Sequence, residues 1–243
     1  MANTPRADGS ELSKWIWVWP LPLALVVIIT GYLLLEPDSY RFWIESESGF
    51  IEIATPLILI PAIVCGVKIF RNRHTLPNKL LTIWFVMVTL GCVYFAGEDL
   101  SWGQHYIGWE TPEHIAEINK QEETNLHNMS SWFNQKPRLA LELFVLIGGI
   151  FVASLRKIKG EIYSAENMAY WFWPGFACLP AAILAILSRM PERIYKLYNH
   201  SFEFPLLPIN VRYSEIQELY FAFFLMIYLI SVLQRLKSVQ NRN

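Results

Sequence analysis

Six runs of apolar residues, separated by polar and charged segments, divide this chain of 243 residues. Each run approaches the ~20 residues that a helix needs to cross the hydrocarbon core of a bilayer. The pattern therefore predicts an all-α, polytopic membrane protein with six transmembrane helices in a single membrane domain over residues 1–243. The predicted helices cover about residues 15–35, 50–67, 80–96, 139–155, 169–187 and 215–233.

The composition agrees with a membrane protein and argues against other classes. Hydrophobic residues make up 53% of the chain and aromatic residues 15%, which is more apolar than a soluble domain needs. The first run does not end in the small residues of a cleavage site, so we expect a retained helix. Cys65, Cys92 and Cys178 lie inside apolar runs, which argues against a disulfide framework. No basic cluster points to nucleic acid as a partner.

Basic residues are divided unequally between the two predicted sides of the membrane. One side holds both termini and the loops over residues 68–79 and 155–168. It carries 12 of the 20 Lys and Arg residues but only 4 of the 21 acidic residues. The positive-inside rule therefore places both termini in the cytoplasm. The outer loops then cover residues 36–49, 97–138 and 189–214.

The outer loops contain signals of short interfacial helices. Thr-Pro-Glu over residues 111–113 is typical of a helix start and predicts a helix over about 112–119. A second short helix is predicted over 122–133, where apolar residues recur at helical spacing. Ser-Glu-Ile-Gln over 214–217 matches a capping box that opens the last membrane helix.

The densest group of polar residues follows the third apolar run, over residues 97–105. Its side chains are two carboxylates, a hydroxyl, an indole, an amide and an imidazole: Glu98, Asp99, Ser101, Trp102, Gln104 and His105. The spacing from Glu98 to His105 places four of them on one helical face, provided that the helix continues past Gly103. Carboxylates at this depth are costly, and the dipole disfavours them at a helix C-terminus. We therefore expect a metal, an arginine or a proton beside them.

Three other predicted helices carry carboxylates at a similar depth, namely Glu52, Glu142, Glu215 and Glu218. In a helix bundle these groups could meet the polar motif in one outward-facing site. The long outer loop adds two pairs at helical spacing: Glu123 with His127, and Asn125 with Asn128.

Two chemistries fit such a site. Carboxylates and imidazoles can hold a divalent metal that activates water, and close carboxylates can share a proton and act as acid and base. The candidate catalytic residues are Glu98, Asp99, Ser101 and His127. The candidate metal ligands are Glu98, Asp99, His105, His127 and Glu218. The candidate substrate-binding residues are Trp102, Gln104, Asn125 and Asn128.

A purely structural interpretation stays open. A salt-bridge network without chemistry could pair the acids with Arg138, Arg189, Arg193 and Arg212. The helix dipole alone would favour Glu215 at a helix start. The acids of the first outer loop are expected to be solvated, namely Glu36, Asp38, Glu45 and Glu47.

Two segments resemble the signature of a family of bacterial multi-pass inner-membrane proteins. They read Gly-Glu-Asp-Leu-Ser-Trp-Gly-Gln over residues 97–104 and Glu-Thr-Asn-Leu-His-Asn over 123–128. The resemblance implies a bacterial inner membrane and no particular activity. More loosely, the chain is similar to membrane hydrolases of the alkaline ceramidase and adiponectin receptor type, which use Ser, Asp and His around zinc. It differs from them in having six predicted helices rather than seven and no late His-x-x-x-His, so the likeness concerns the fold alone.

The sequence supports three functional hypotheses. The first is a membrane-embedded hydrolase or transferase with a periplasm-facing site for a lipid-like substrate, and a divalent metal is its candidate cofactor. The second is a non-catalytic accessory or assembly subunit whose outer loops dock onto other membrane protein subunits. The third is a transporter, which ranks last because the middles of the first and fifth apolar runs contain almost no polar residues.

Overall fold

The computed structural model describes residues 12–46, 49–116, 131–160, 163–198 and 211–241. Within these ranges the chain is helical and contains no strand. Six helices are long and apolar enough to cross a membrane, so the protein is a multi-pass membrane protein, as the hydrophobic pattern predicts. They are α1 (Lys14–Leu34), α2 (Phe50–Arg71), α3 (Lys79–Asp99), α4 (Gln135–Lys159), α5 (Met168–Leu197) and α6 (Tyr213–Gln240).

Helix α6 forms the centre of the bundle. It packs mainly against α2 and α5, and the side chains of Tyr220, Phe224 and Tyr228 are completely buried. Helices α1 and α3 lie at the periphery. In α1 and in α3 only 17% of the apolar stretch is buried, whereas 83% of the apolar stretch of α6 is buried. Such extensive outward-facing apolar surface is what a lipid bilayer covers.

Helix α5 is interrupted before Pro174, and α6 satisfies the carbonyl groups that this break frees. Proline disfavours a helical conformation in the residue before it, so the first helical segment of α5 is Met168–Phe172 and Trp173 after it is extended. The Tyr228 hydroxyl donates a hydrogen bond to the Phe172 carbonyl at 2.7 Å. The buried Arg235 guanidinium donates to the Trp173 carbonyl at 3.2 Å. Because unpaired carbonyls are costly in a bilayer, these contacts hold α5 against α6.

Two predicted outer loops contain helices that the apolar runs do not reveal. Helix α5 continues as Met190–Leu197, so the loop predicted over 189–214 begins with a helix. The loop predicted over 36–49 contains the helix Pro37–Tyr40 and the π-helix Arg41–Glu45. Both helical segments include charged residues, so neither forms a continuous apolar run.

The start of α6 differs from the prediction. The helix begins at Tyr213, Arg212 occupies the cap position, and no side chain caps the helix. The predicted capping box over residues 214–217 is therefore wrong. Gln217 is completely buried and serves a different purpose, since it accepts hydrogen bonds from arginines.

The short helices predicted in the outer loops are described only in part. The helix predicted over 112–119 is present as Glu113–Ala116, and its remaining residues lie outside the described ranges. The same holds for most of the helix predicted over 122–133. Its last residues belong to the helix Ser131–Phe144, which leads into α4.

Helices α2 and α3 approach each other closely at Gly66. A Cβ atom placed there would lie 2.0 Å from Thr89 Oγ1 and 2.9 Å from Thr89 Cβ, far inside van der Waals contact. A Cβ atom placed on Gly91, which also belongs to α3, would meet no heavy atom within 4 Å. Packing between small residues brings helices together in a membrane, where hydrophobicity provides little drive. Gly66 therefore sets the distance between α2 and α3.

We expect Gly66→Ala to lower the free energy of unfolding in detergent by about 1–3 kcal/mol, because the added methyl group forces α2 and α3 apart. The matched control is Gly91→Ala, which we expect to be neutral or stabilising by about 0.5–1 kcal/mol. Cys92 and Cys178 are completely buried, so a thiol-reactive dye reports the melting temperature. Equal melting temperatures for the two variants would contradict the close contact at Gly66.

Candidate functional site

The polar motif after α3 forms a strained turn. Helix α3 ends at Asp99, and the next residues include Ser101 and Trp102 in left-handed conformations, with φ of 43° and 55°. Gly103 follows with a φ of 92°, which glycine adopts readily. Each non-glycine residue held in this region costs about 1–3 kcal/mol, so surrounding contacts must hold the turn. Ser101 is buried within it.

The predicted helical face from Glu98 to His105 does not form, because α3 does not continue past the turn. His105 lies on a separate short helix, Gln104–Ile107. The amide of Gln104 donates a hydrogen bond to Thr111 Oγ1 at 2.8 Å. The motif is therefore tied to the loop that follows it rather than extending α3.

Trp102 folds back onto the last turn of α3 and stabilises the strained turn. Its Nε1 donates a hydrogen bond to Glu98 Oε1 at 2.7 Å. A Cβ atom on Gly97 would lie only 2.7 Å from Cζ3 of the indole, so a glycine is needed for the ring to lie this close to the helix. This contact accounts for three residues of the motif. Gly97 leaves space for the indole, Trp102 covers the end of α3, and Glu98 accepts the hydrogen bond.

Five carboxylates lie at the end of the bundle where α3 ends and where α2 and α6 begin, which we call the acidic end. Asp99 interacts electrostatically with the other four. Carboxylates within electrostatic reach of one another repel unless protons or cations neutralise them. We call this group the acidic cluster, and its members are Glu52, Glu98, Asp99, Glu215 and Glu218.

A network of arginines adjoins the acidic cluster. Arg138 Nη1 lies 2.7 Å from Glu218 Oε1. Its Nε and Nη2 donate to Oε1 of the buried Gln217 at 3.2 and 2.8 Å. Arg189 donates to the same oxygen at 3.3 Å. Two guanidinium groups therefore converge on one neutral amide, next to one edge of the acidic cluster.

Each of the four arginines contacts an acid, so the predicted ion pairs form. Arg193 binds Glu142 through two contacts of 2.6 and 2.7 Å, and Glu142 is not one of the carboxylates that interact with Asp99. Arg212 lies 3.9 Å from Glu215. The remaining pairs are Arg138 with Glu218 and Arg189 with Glu192. The network therefore neutralises the acidic cluster in part, at Glu215 and Glu218.

Sequence reasoning missed Glu45. Its predicted solvation is wrong, because its side chain is only 3% exposed and its Oε1 accepts a hydrogen bond from the Arg212 backbone N–H at 2.7 Å. Glu36 and Asp38 are exposed, as predicted, and Glu47 lies outside the described residues. No local signal marks Glu45, since its partner lies 167 residues further along the chain.

Three predicted site residues, and the side chain of a fourth, lie outside the described part of the protein. The described part of the protein does not include Asn125, His127 and Asn128, nor the side chain of His105. Among the positions that it does include, no group of three or more His, Cys, Asp or Glu is arranged to hold a metal ion. The predicted metal ligands Glu98, Asp99 and Glu218 are neighbours, but they do not by themselves support a metal centre.

The carboxylates of the acidic cluster have unlike surroundings. Glu98 is buried beneath the indole of Trp102, whereas Glu218 is partly exposed and paired with Arg138. Sites of general acid–base chemistry commonly place two carboxylates, one as acid and one as base, in unlike surroundings. The arrangement can therefore provide both roles at the membrane surface.

Comparison of this chain with family models, curated proteins and solved structures finds no match. The acidic end is therefore the basis of the function proposed for this protein.

Proposed function

We propose that the protein is a membrane-embedded hydrolase or transferase that acts on a lipid-like substrate at the acidic end. The observation that carries the proposal is the position of Asp99 amid four glutamates. Carboxylates that influence one another electrostatically can supply a general acid and a general base. Asp99 and Glu98 are assigned to these two roles.

The strained turn supports the same assignment. Backbone strain that costs free energy persists mainly where function requires it. Trp102 is 46% exposed although its Nε1 is bound to Glu98, so its outer surface remains available to a lipid-like substrate. Ser101 and Gln104 are assigned to orienting the substrate. A divalent metal held by ligands from the set Glu98, Asp99, His105, His127 and Glu218 stays a prediction from the sequence, which elemental analysis of the purified protein tests.

An unbiased lipid assay tests the proposal, whichever lipid is the substrate. Purified protein is reconstituted into vesicles of phosphatidylethanolamine, phosphatidylglycerol and cardiolipin, and mass spectrometry follows every lipid species with time. We expect a lipid to be converted by the wild type and by Asp38→Asn, whose exposed carboxylate lies outside the acidic cluster. The double variant Glu98→Gln, Asp99→Asn is expected to be inactive. The proposal fails if no lipid changes, or if the double variant is as active as the wild type.

A second function is favoured by the arginine network. Arg138, Arg193 and Arg212 each contact a carboxylate, and such a cross-linked surface suits a non-catalytic accessory or assembly subunit that docks other membrane protein subunits. Purification separates the two functions. An accessory subunit copurifies with its partners, whereas an enzyme purified alone converts lipid.

The acidic end is assigned to the outer side of a cell inner membrane, with both termini in the cytoplasm. Basic residues in the last turns of α2 and α4 support this orientation, because positive charge favours the cytoplasmic side. They are Lys68, Arg71, Arg156, Lys157 and Lys159.

Single cysteines test the orientation in a variant whose three native cysteines are replaced by alanine. Glu110 follows the strained turn and His74 lies between α2 and α3, and both residues are exposed. In cells with a permeable outer envelope, a membrane-impermeant maleimide is expected to label Glu110→Cys. Labelling of His74→Cys is expected only after the membrane is disrupted. The reverse pattern would place the acidic end in the cytoplasm.

A further inference from the structure

A second polar site lies between the end of α1, the helical segment over residues 37–45 and the start of α6. Tyr40 and Glu45 are each only 3% exposed. Tyr32 and Tyr213 lie within electrostatic reach of Tyr40, and Tyr213 also lies within reach of Glu45. We call these four residues the tyrosine–glutamate site.

Two buried polar atoms of this site have no hydrogen-bond partner among the described residues, namely Tyr40 Oη and Glu45 Oε2. The other carboxylate oxygen, Glu45 Oε1, is satisfied by the backbone N–H of Arg212. A buried acceptor left unpaired loses its hydration without compensation, and the cost is larger for a charged acceptor. A persistent group of this kind calls for a water, an ion or a ligand that completes it. The site therefore lacks a donor.

Close packing holds the site in position. A Cβ atom on Gly31 of α1 would lie 3.1 Å from Ile44 Cδ1, and one on Gly49 would lie 2.8 Å from the Ile44 backbone carbon. The rings of Tyr32 and Tyr40 meet edge to face, with centroids 5.7 Å apart. These contacts set the position of the segment that carries Glu45, so a ligand would find its binding groups already in place.

Guanidinium groups flank the site on its exposed side. Arg212 donates a hydrogen bond to the Glu45 carbonyl oxygen at 3.2 Å, and its side chain is 52% exposed. Arg41 is also exposed and lies within electrostatic reach of Glu45. A buried carboxylate attracts a cation, and an exposed guanidinium group binds phosphate. Groups suited to a cation and to an anion are therefore adjacent.

We propose that the tyrosine–glutamate site binds the primary ammonium group of a phosphoethanolamine headgroup, whose phosphate lies on Arg212. A primary ammonium has three N–H donors, enough to satisfy Glu45 Oε2 and Tyr40 Oη together. A tyrosine ring adds cation–π attraction. A quaternary ammonium such as choline has no N–H to donate, so the two open oxygens select against it.

The membrane setting favours a phospholipid over free phosphoethanolamine as the source of the headgroup. The site lies where α1 ends and α6 begins, which is the level of the lipid headgroups, and Tyr32 is 42% exposed at its edge. The site goes beyond the proposed function, because neither Tyr40 nor Glu45 belongs to the acidic cluster. It would bind lipid even if the acidic cluster performed no chemistry.

Native mass spectrometry of the full chain in detergent tests the proposal by titration with phosphatidylethanolamine, phosphatidylcholine and phosphatidylglycerol. We expect phosphatidylethanolamine to bind at least about tenfold more tightly than the other two lipids, a difference that corresponds to 1.4 kcal/mol. Glu45→Gln is expected to remove that preference. The matched control is Glu36→Gln, an exposed acid nearby that is expected to bind as the wild type does.

A second variant, Tyr40→Phe, decides the question if Glu45→Gln does not fold. It retains the ring and removes only the open hydroxyl, so we expect severalfold weaker binding of phosphatidylethanolamine and an unchanged melting temperature. Soluble phosphoethanolamine that competes as well as the lipid would identify a free metabolite as the ligand and overturn the lipid assignment. Equal binding of choline and ethanolamine lipids, or displacement by sodium ions alone, would overturn the ammonium site.

Discussion

Asp99→Asn is expected to lower the rate of lipid conversion by about 100-fold or more and at the same time to raise the melting temperature. The rate falls because an amide neither takes up nor releases a proton, and general acid–base catalysis contributes about 10²–10⁴-fold. Stability rises because an amide cannot take on the negative charge that the four neighbouring glutamates disfavour at this position. Relief of this kind at an active site stabilises by about 0.5–2 kcal/mol. Lipid mass spectrometry and the buried-thiol dye measure the two effects.

Glu142→Gln is the matched control for Asp99→Asn. Its carboxylate lies outside the acidic cluster and makes two contacts with Arg193. We therefore expect the control to lower the melting temperature, because a charge-assisted pair is lost, and to leave the rate unchanged. A variant Asp99→Asn that melts earlier and converts lipid at the normal rate would show that Asp99 is structural, and the acid–base assignment would be wrong.

Arg138→Met is expected to lower the free energy of unfolding by about 2–4 kcal/mol. The arginine joins α4 to the start of α6 through Glu218, the buried Gln217 and the Ser214 carbonyl. Its loss leaves a carboxylate within the acidic cluster without its counter-charge. Breaking a fully buried pair costs about 3–5 kcal/mol, and this pair is partly exposed, so we expect a smaller loss. Thermal unfolding in detergent measures it.

Two further variants show whether loss of the Arg138–Glu218 ion pair causes the lower stability of Arg138→Met. Lys196→Met removes a surface pair with Glu192 and is expected to cost at most about 0.5 kcal/mol. Adding Glu218→Gln to Arg138→Met removes the charge left alone and is expected to restore part of the lost stability. If the double variant is no more stable than Arg138→Met, then the lost packing of α4 against α6 explains the effect and the charge does not.

The membrane helices could be predicted well because hydropathy is a local property that accumulates over about 20 residues. The same local view explains the errors. Apolar residues continue on both sides of Pro174, so the pattern predicted an unbroken helix over 169–187, although α5 is interrupted there. The local pattern at residues 214–217 matched a capping box, although Gln217 accepts hydrogen bonds from distant arginines.

The acidic cluster was predictable in outline. Glu52, Asp99 and Glu218 lie at similar depths along their apolar runs, and helices in one bundle bring equal depths together. The strained turn was not predictable, because its stability depends on the fit of the Trp102 indole over Gly97. Burial of Glu45 was not predictable either, since charged residues in a loop are usually solvated.

The sequence by itself determined that the protein crosses a membrane through six helices and that carboxylates lie near one level of the bundle. Only the tertiary structure decided which polar groups meet. The partners Arg138 and Gln217 are 79 residues apart, and Glu45 and Arg212 are 167 residues apart. The physical reason is that transfer into a bilayer depends on the composition of one segment, whereas hydrogen bonds and ion pairs depend on atomic distances between segments. Those distances exist only when α6 is packed among its neighbours.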